Sequence, residues 1–219
     1  MDSDRLEAFS DGVFAVAITL LALDLAIGGP GPHQTLAAKL TGHWPSFVAY
    51  GVSFATIGII WVNHHTLFKN ISKIDRTLLF ANLMLLFFVA SIPFATRTIA
   101  AYLRAGGGQA SLAAAIYQAV FEGMSISFTL LFWWAIRRQH LQVSLTPQQA
   151  RQATIRFGIG NLAYIAGIGI AFASPPASLA LSGLVALYYI FEHTPARTLD
   201  PSTATPQDDN QQNAAPSQP

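Results

Sequence analysis

Long apolar runs separated by short polar stretches make up the chain as far as about residue 193. A helix needs about 20 mainly apolar residues to cross a hydrocarbon core about 30 Å thick. The run 157–191 holds no charged residue and is too long for one crossing, and Ser174-Pro175-Pro176 divides it, because proline lacks a backbone donor and clashes with the preceding turn. The pattern therefore predicts an all-α, polytopic membrane protein with six transmembrane helices, at residues 6–27, 43–68, 77–102, 110–136, 153–173 and 177–193.

The last segment of the chain has a different composition. Residues 194–219 are polar and contain five prolines, so they cannot bury enough apolar area to offset the entropy of ordering. We therefore expect two parts: a six-span transmembrane domain at residues 1–193 and a disordered cytoplasmic tail at 194–219.

The distribution of Lys and Arg over the predicted loops sets the orientation, because cytoplasmic loops carry an excess of both. The bias predicts that the N- and C-termini are both cytoplasmic. Nine basic residues fall on the predicted cytoplasmic side (Arg5, Lys69, Lys73, Arg76, Arg137, Arg138, Arg151, Arg156 and Arg197) and three on the other (Lys39, Arg97 and Arg104).

Composition excludes several classes of function. Charged residues make up 11% of the chain, against roughly 25% in soluble domains, which indicates a protein of the lipid bilayer rather than a soluble enzyme. The net charge of +1 provides no basic surface for nucleic acid. The chain has no cysteine, so disulfides, thiol catalysis and cysteine-bound metals are absent.

Asp11 is the unusual residue of the first predicted span. A carboxylate in or near the hydrocarbon costs roughly 3 kcal/mol on insertion scales, so it needs a partner or a role. We interpret Asp11 as a polar pin between the first three spans, and a proton relay is the alternative. The predicted structural polar network comprises Arg5, Ser10, Asp11, His64, His65 and Asn82.

The histidines leave two other functions open. A metal-dependent enzyme would use His43, His64, His65 and Glu122, but adjacent histidines point about 100° apart on a helix, so we predict no metal and no cofactor. A proton- or ion-coupled secondary transporter would use Asp11, Glu122 and His64. Such a transporter would need a broken helix near the midplane, and Pro93 is the interior candidate.

A narrow stripe runs along the first predicted span. Val16, Thr19, Leu20, Leu23 and Ile27 follow the i, i+3, i+4, i+7, i+11 spacing of one helical face. Such a stripe is typical of packing inside a helical bundle, and it is also what a pore-lining helix would present.

Two motifs resemble those of the transmembrane protein 175 family, potassium-permeable channels of animal lysosomes and bacterial membranes. They are Arg5-x-x-x-Phe9-Ser10-Asp11 and Trp61-x-x-His64-His65, and the similarity extends over residues 5–193. The resemblance implies a single-repeat bacterial chain, a multi-pass protein of the plasma (inner) membrane and a homotetramer. It also implies a channel for potassium and other monovalent cations, not an enzyme.

The resemblance further implies the place of the pore. In that family the first helix lines the central path, and apolar residues beyond the Phe-Ser-Asp motif constrict it. Aligned on the motif, the constriction falls on Val16, Leu20 and Leu23, with the Thr19 hydroxyl beside it. Val16 stands where the family usually has Ile or Leu.

Overall fold

The computed structural model describes residues 3–25, 35–138, 140–141 and 146–191. Within them the chain is all α-helical, apart from an isolated antiparallel bridge between Ile71 and Leu141. A 3-10 turn at Leu23–Leu25 extends the first helix. The helices are α1 Ser3–Ala22, α2 Leu36–Gly42, α3 Trp44–Lys69, α4 Arg76–Tyr102, α5 Gly107–Arg137, α6 Pro147–Ala173 and α7 Pro175–Phe191.

Four of these helices are long and apolar enough to cross a membrane: α3, α4, α5 and, from Gln148 to Ala173, α6. The fifth apolar helix, α7, is shorter. Helix α1 is not among the four, since Asp4, Arg5, Glu7 and Asp11 lie within its 20 residues. The predicted residues 26–27 and 192–193 of the first and last spans, and the predicted tail 194–219, lie outside the described residues.

Large apolar side chains point outward along the whole bundle, as expected of a protein whose outer surface contacts lipid rather than water. Phe87 and Phe94 on α4 are each 63% exposed, and Leu162 on α6 is 69% exposed. The protein is therefore a membrane protein, in agreement with its low content of charged residues.

Local sequence signals fix the ends of the helices. Thr146 and Gln149 form a reciprocal capping box at the start of α6, with Pro147 in its first turn. Ser174 ends α6 in an extended conformation, and Pro175 begins α7. Proline is tolerated there because the first N–H of a helix has no acceptor within the helix. Helix α2 was not predicted from the sequence; the Thr35 side chain caps it by accepting a hydrogen bond from the Ala38 amide.

The core lies where α4 and α5 pack against each other, with α1 and α3 on one side and α6 and α7 on the other. A buried polar group ties the second side together. Gln118 of α5 donates to the Ser178 carbonyl (2.7 Å) and to the Ser182 hydroxyl (2.8 Å) of α7. A side chain at Gly167 of α6 would collide with Gln118, with a Cβ 2.7 Å from its amide carbon, so these three helices approach closely.

Asp75 organises the predicted cytoplasmic end of the bundle. Its carboxylate accepts hydrogen bonds from the Leu78 amide (2.7 Å) and the Trp134 indole (2.9 Å), and it lies 3.6 Å from His140 Nε2. Partial burial acts to raise the pKa of Asp75, but these hydrogen bonds and the nearby His140 and Arg138 hold the pKa below its usual value. The carboxylate therefore stays charged and joins the start of α4 to the end of α5.

Candidate functional site

Helix α1 has one face inside the bundle and one face open. The buried residues of the inner face are spaced at i, i+4, i+8, i+11 and i+15, which places them on a single side of the helix. The open face carries Phe9 (52% exposed), Val16 (57%), Leu20 (42%) and Leu23 (66%). Large apolar residues on an open face are covered in the membrane by lipid or by another protein surface. The inner face consists of Leu6, Ser10, Phe14, Ala17 and Leu21.

A groove of about 450 Å³ runs along the open face. It is lined almost entirely by apolar groups, including Phe9, Gly12, Val16 and Leu20 of α1 and Ala90 of α4. The lining of the groove includes two of the stripe residues, Val16 and Leu20, and no charged side chain, so the groove suits an apolar partner or a dewetted path.

Thr19 provides a polar atom on this open face. Its hydroxyl donates to the Val16 carbonyl of the same helix at 2.9 Å, which satisfies the donor. A hydroxyl oxygen keeps acceptor capacity when its hydrogen is used, so Thr19 can still face a cation. Leu23 lies in the 3-10 turn that follows α1, and Ile27 lies outside the described residues.

Ser10, Asn82 and His64 form a buried chain of hydrogen bonds that joins α1, α4 and α3. His64 Nε2 donates to Asn82 Oδ1 (2.8 Å), Asn82 Nδ2 donates to Ser10 Oγ (2.9 Å), and Ser10 donates to the Leu6 carbonyl (2.9 Å). All three polar side chains are fully buried. Because these groups are buried away from water, the loss of any of these hydrogen bonds leaves a buried polar group without a partner.

Asp11 lies outside that chain. Its Oδ1 accepts a hydrogen bond from the Trp61 indole at 2.9 Å, and Trp61 is not a member of the polar network predicted from the sequence. The hydrogen bond thus comes from outside that network, although His65, one turn after Trp61 on the same face of α3, also lies close, with a ring nitrogen within 4.8 Å of an Asp11 carboxylate oxygen. Arg5 is exposed on the first turn of α1. The hydrogen bonds and ion pairs of the described residues do not join it to Asp11 or to the chain of Ser10, Asn82 and His64.

His65 pairs with Glu7, one helical turn before Asp11. Its Nδ1 lies 2.6 Å from Glu7 Oε1, and its ring stacks on Trp61 with centroids 5.7 Å apart and planes at 22°. Sequence reasoning missed Glu7 as part of the polar network. The signal was present, since Glu7 and Asp11 are four residues apart on α1, as are Trp61 and His65 on α3, so each pair shares a face.

The structure does not bring together the four residues of the metal-enzyme hypothesis. Within the described part of the chain, His43 bonds to the Lys39 carbonyl at the end of α2 and His64 to Asn82, while His65 Nδ1 lies beside Glu7 Oε1. Glu122 is buried in α5, and neither of its oxygens has a hydrogen-bond partner among these residues.

Comparisons with known proteins agree on one family. Residues 5–93 match the profile described as "Endosomal/lysosomal potassium channel TMEM175". A Streptomyces collinus protein named "Potassium channel B446_29190" is 46% identical over 201 residues, covering 90% of this chain and 96% of that protein. The human "Endosomal/lysosomal proton channel TMEM175" is 38% identical over 168 residues, which cover 72% of this chain and 31% of the human protein.

A solved structure matches almost end to end. The crystal structure titled as a lysosomal potassium-selective channel TMEM175 homolog from Chamaesiphon minutus superposes with a TM-score of 0.75 at 32% identity. The match covers 87% of this chain and 97% of that one.

Proposed function

This chain belongs to the transmembrane protein 175 family, and we propose that it is a potassium channel formed by a homotetramer in the bacterial plasma membrane. The observation that carries the proposal is the open apolar face of α1. Val16, Leu20 and Leu23 are exposed in the single chain, and Val16 and Leu20 line the apolar groove that runs along this face. A ring of identical subunits would cover that face and enclose a path along its axis.

In the proposed topology α1 and α3–α7 cross the bilayer, so that residues 1–193 form a six-span domain with both termini in the cytoplasm. Helix α7 has 17 residues and is about 26 Å long at 1.5 Å per residue, a little short of a hydrocarbon core about 30 Å thick. Tyr188 and Tyr189 near its end suit the membrane interface. Helix α2 is too short to cross and belongs to the connection between α1 and α3.

The constriction in this proposal consists of stacked apolar rings. Val16, Leu20 and Leu23 point at the axis from every subunit, and water leaves so narrow an apolar segment easily. An ion that passes must give up hydration water with few groups to replace it. Potassium holds its water less tightly than sodium, and the Thr19 oxygens offer partial ligands, so we expect a modest preference for potassium among monovalent cations.

The secondary transporter is the less favoured alternative. Its distinguishing feature would be a helix broken at Pro93, but α4 is continuous from Arg76 to Tyr102 across that proline. The relatives named above are also called channels, not transporters. Asp11 is hydrogen-bonded to Trp61, Glu122 lies in α5 and His64 is in the buried chain, so the three do not form one relay.

A flux assay tests the proposal. Vesicles loaded with potassium chloride and diluted into N-methylglucamine chloride should lose potassium when they contain the protein, and a protonophore with a pH-sensitive dye reports this loss as proton uptake. Empty vesicles are the control, and valinomycin at the end shows that both preparations are sealed. Protein-containing vesicles that behave like empty ones would contradict the channel.

Crosslinking tests the assembly. Because the open face of α1 needs neighbouring copies, an amine- or carboxylate-reactive crosslinker applied in mild detergent should give a ladder that ends at the tetramer. The same reaction after denaturation in dodecyl sulfate should give monomer only. A monodisperse monomer that conducts potassium would contradict the homotetramer.

A further inference from the structure

Glu7, Asp11 and His65 bring three potential metal-ligand atoms to one place. A carboxylate oxygen from each acid and a ring nitrogen of the histidine all lie within 4.8 Å of one another. Glu7 and Asp11 are one turn apart on α1, and His65 faces them from α3. All three are partly buried, so the group is held by protein but open to small ions.

The charges of this group favour a cation. Two carboxylates face one imidazole, so the group keeps a net negative charge even when the histidine is protonated. Within the described residues, the polar contacts of Glu7 and Asp11 go to His65 and Trp61, and neither acid pairs with a lysine or an arginine. A single ion pair between Glu7 and His65 would leave the charge of Asp11 uncompensated beside it.

Trp61 orients two of the three ligands. Its indole N–H donates to Asp11 Oδ1, while its ring stacks on His65. Metal sites commonly hold their ligands by such contacts from outside the coordination sphere. Both contacts come from the face of α3 that carries His65, since Trp61 is one turn before it.

We propose that Glu7, Asp11 and His65 bind a divalent transition-metal ion, with Zn²⁺ as the representative. One imidazole nitrogen and two carboxylate oxygens suit zinc, which takes three protein ligands and leaves a fourth position to water. Mg²⁺ and Ca²⁺ prefer oxygen ligands alone. An ion at about 2.0–2.2 Å from each ligand requires His65 to move slightly away from Glu7. A rotation of the His65 side chain provides this movement.

A bound ion would link α1 to α3 on the side of α1 opposite Val16. The open apolar face and the two carboxylate ligands thus lie on opposite sides of α1, and the ion would fix how that helix is turned relative to α3. This site goes beyond the proposed function and does not depend on it, because binding can be measured on protein that conducts nothing.

Titration of the purified protein with Zn²⁺, after treatment with a chelator, tests the proposal. Calorimetry should show one ion per chain, and the melting temperature should rise with Zn²⁺ and fall back when the chelator is added. Glu7→Gln and His65→Gln should each weaken the affinity by roughly 100-fold or more, beyond the 10–100-fold that loss of an outer contact costs. Trp61→Phe, which keeps the ring but removes the indole N–H, should weaken it by about 10–100-fold.

His43→Gln is the matched control for adventitious histidine binding, because His43 is exposed at the end of α2; it should leave the affinity unchanged. Mg²⁺ at the same concentrations should not shift the melting temperature. Co²⁺ should give visible absorption bands that Zn²⁺ abolishes, which tests the site in the parent protein even if a variant fails to fold. Unchanged Zn²⁺ affinity in both Glu7→Gln and His65→Gln, or no binding by the parent protein at millimolar Zn²⁺, would overturn the proposal.

Discussion

Replacement of Asn82 by alanine should lower the free energy of unfolding by about 2–6 kcal/mol. Asn82 is fully buried and bonds at once to His64 and to Ser10, so its loss strands two buried partners on two other helices. Leaving one buried polar group unsatisfied costs about 1–3 kcal/mol. Thermal melting in detergent, followed by circular dichroism or by loss of the assembled peak in size-exclusion chromatography, measures the effect.

Asn161→Ala is the matched control for this change. Asn161 is partly buried in α6, makes one long bond to Thr129 (3.4 Å), and its Oδ1 already has no partner among the described residues. The same substitution there should cost much less. Equal losses at the two positions would show that the chain through Ser10, Asn82 and His64 has no special part in joining α1 to the bundle.

Val16→Phe should abolish or nearly abolish potassium conduction while the protein still assembles. Val16 is exposed on the open face of α1, and an aromatic ring from each subunit cannot fit around a narrow axis. The flux assay gives the rate, and size-exclusion chromatography shows whether the assembly is intact.

Val48→Phe makes the same change at an exposed position of α3 that does not line the groove, and should conduct like the parent. A Val16→Phe protein that assembles and conducts at the parental rate would remove Val16 from the conduction path.

The sequence predicted most of the helices because their ends carry strong local signals. The predicted segment 77–102 coincides with α4 at Arg76–Tyr102, and the predicted break at Ser174 separates α6 from α7. Helix α2 was missed because its seven residues are too few to show a periodic pattern. Its cap at Thr35 involves only the neighbouring residues of the chain, which is a weak signal in the sequence. That six helices cross the membrane stays a prediction.

The candidate site was predictable in its spacing but not in its contacts. The stripe through Val16 and Leu20 follows from helical periodicity alone, and the structure places it on the open side of α1. The partner of Asp11 was not predictable in this way, since Trp61 and His65 share one face of α3 and both lie beside Asp11. Only the packing of the side chains decides that the Trp61 indole donates the hydrogen bond.

The unitary current of Leu20→Asn shows whether the open face of α1 forms the constriction. In planar bilayers with potassium on one side and sodium on the other, an amide at Leu20 should keep water in the narrow segment and raise the unitary current above that of the parent protein. A Leu20→Asn channel with the parental unitary current and reversal potential would contradict the account, because the open face of α1 would then not line the path of the ions.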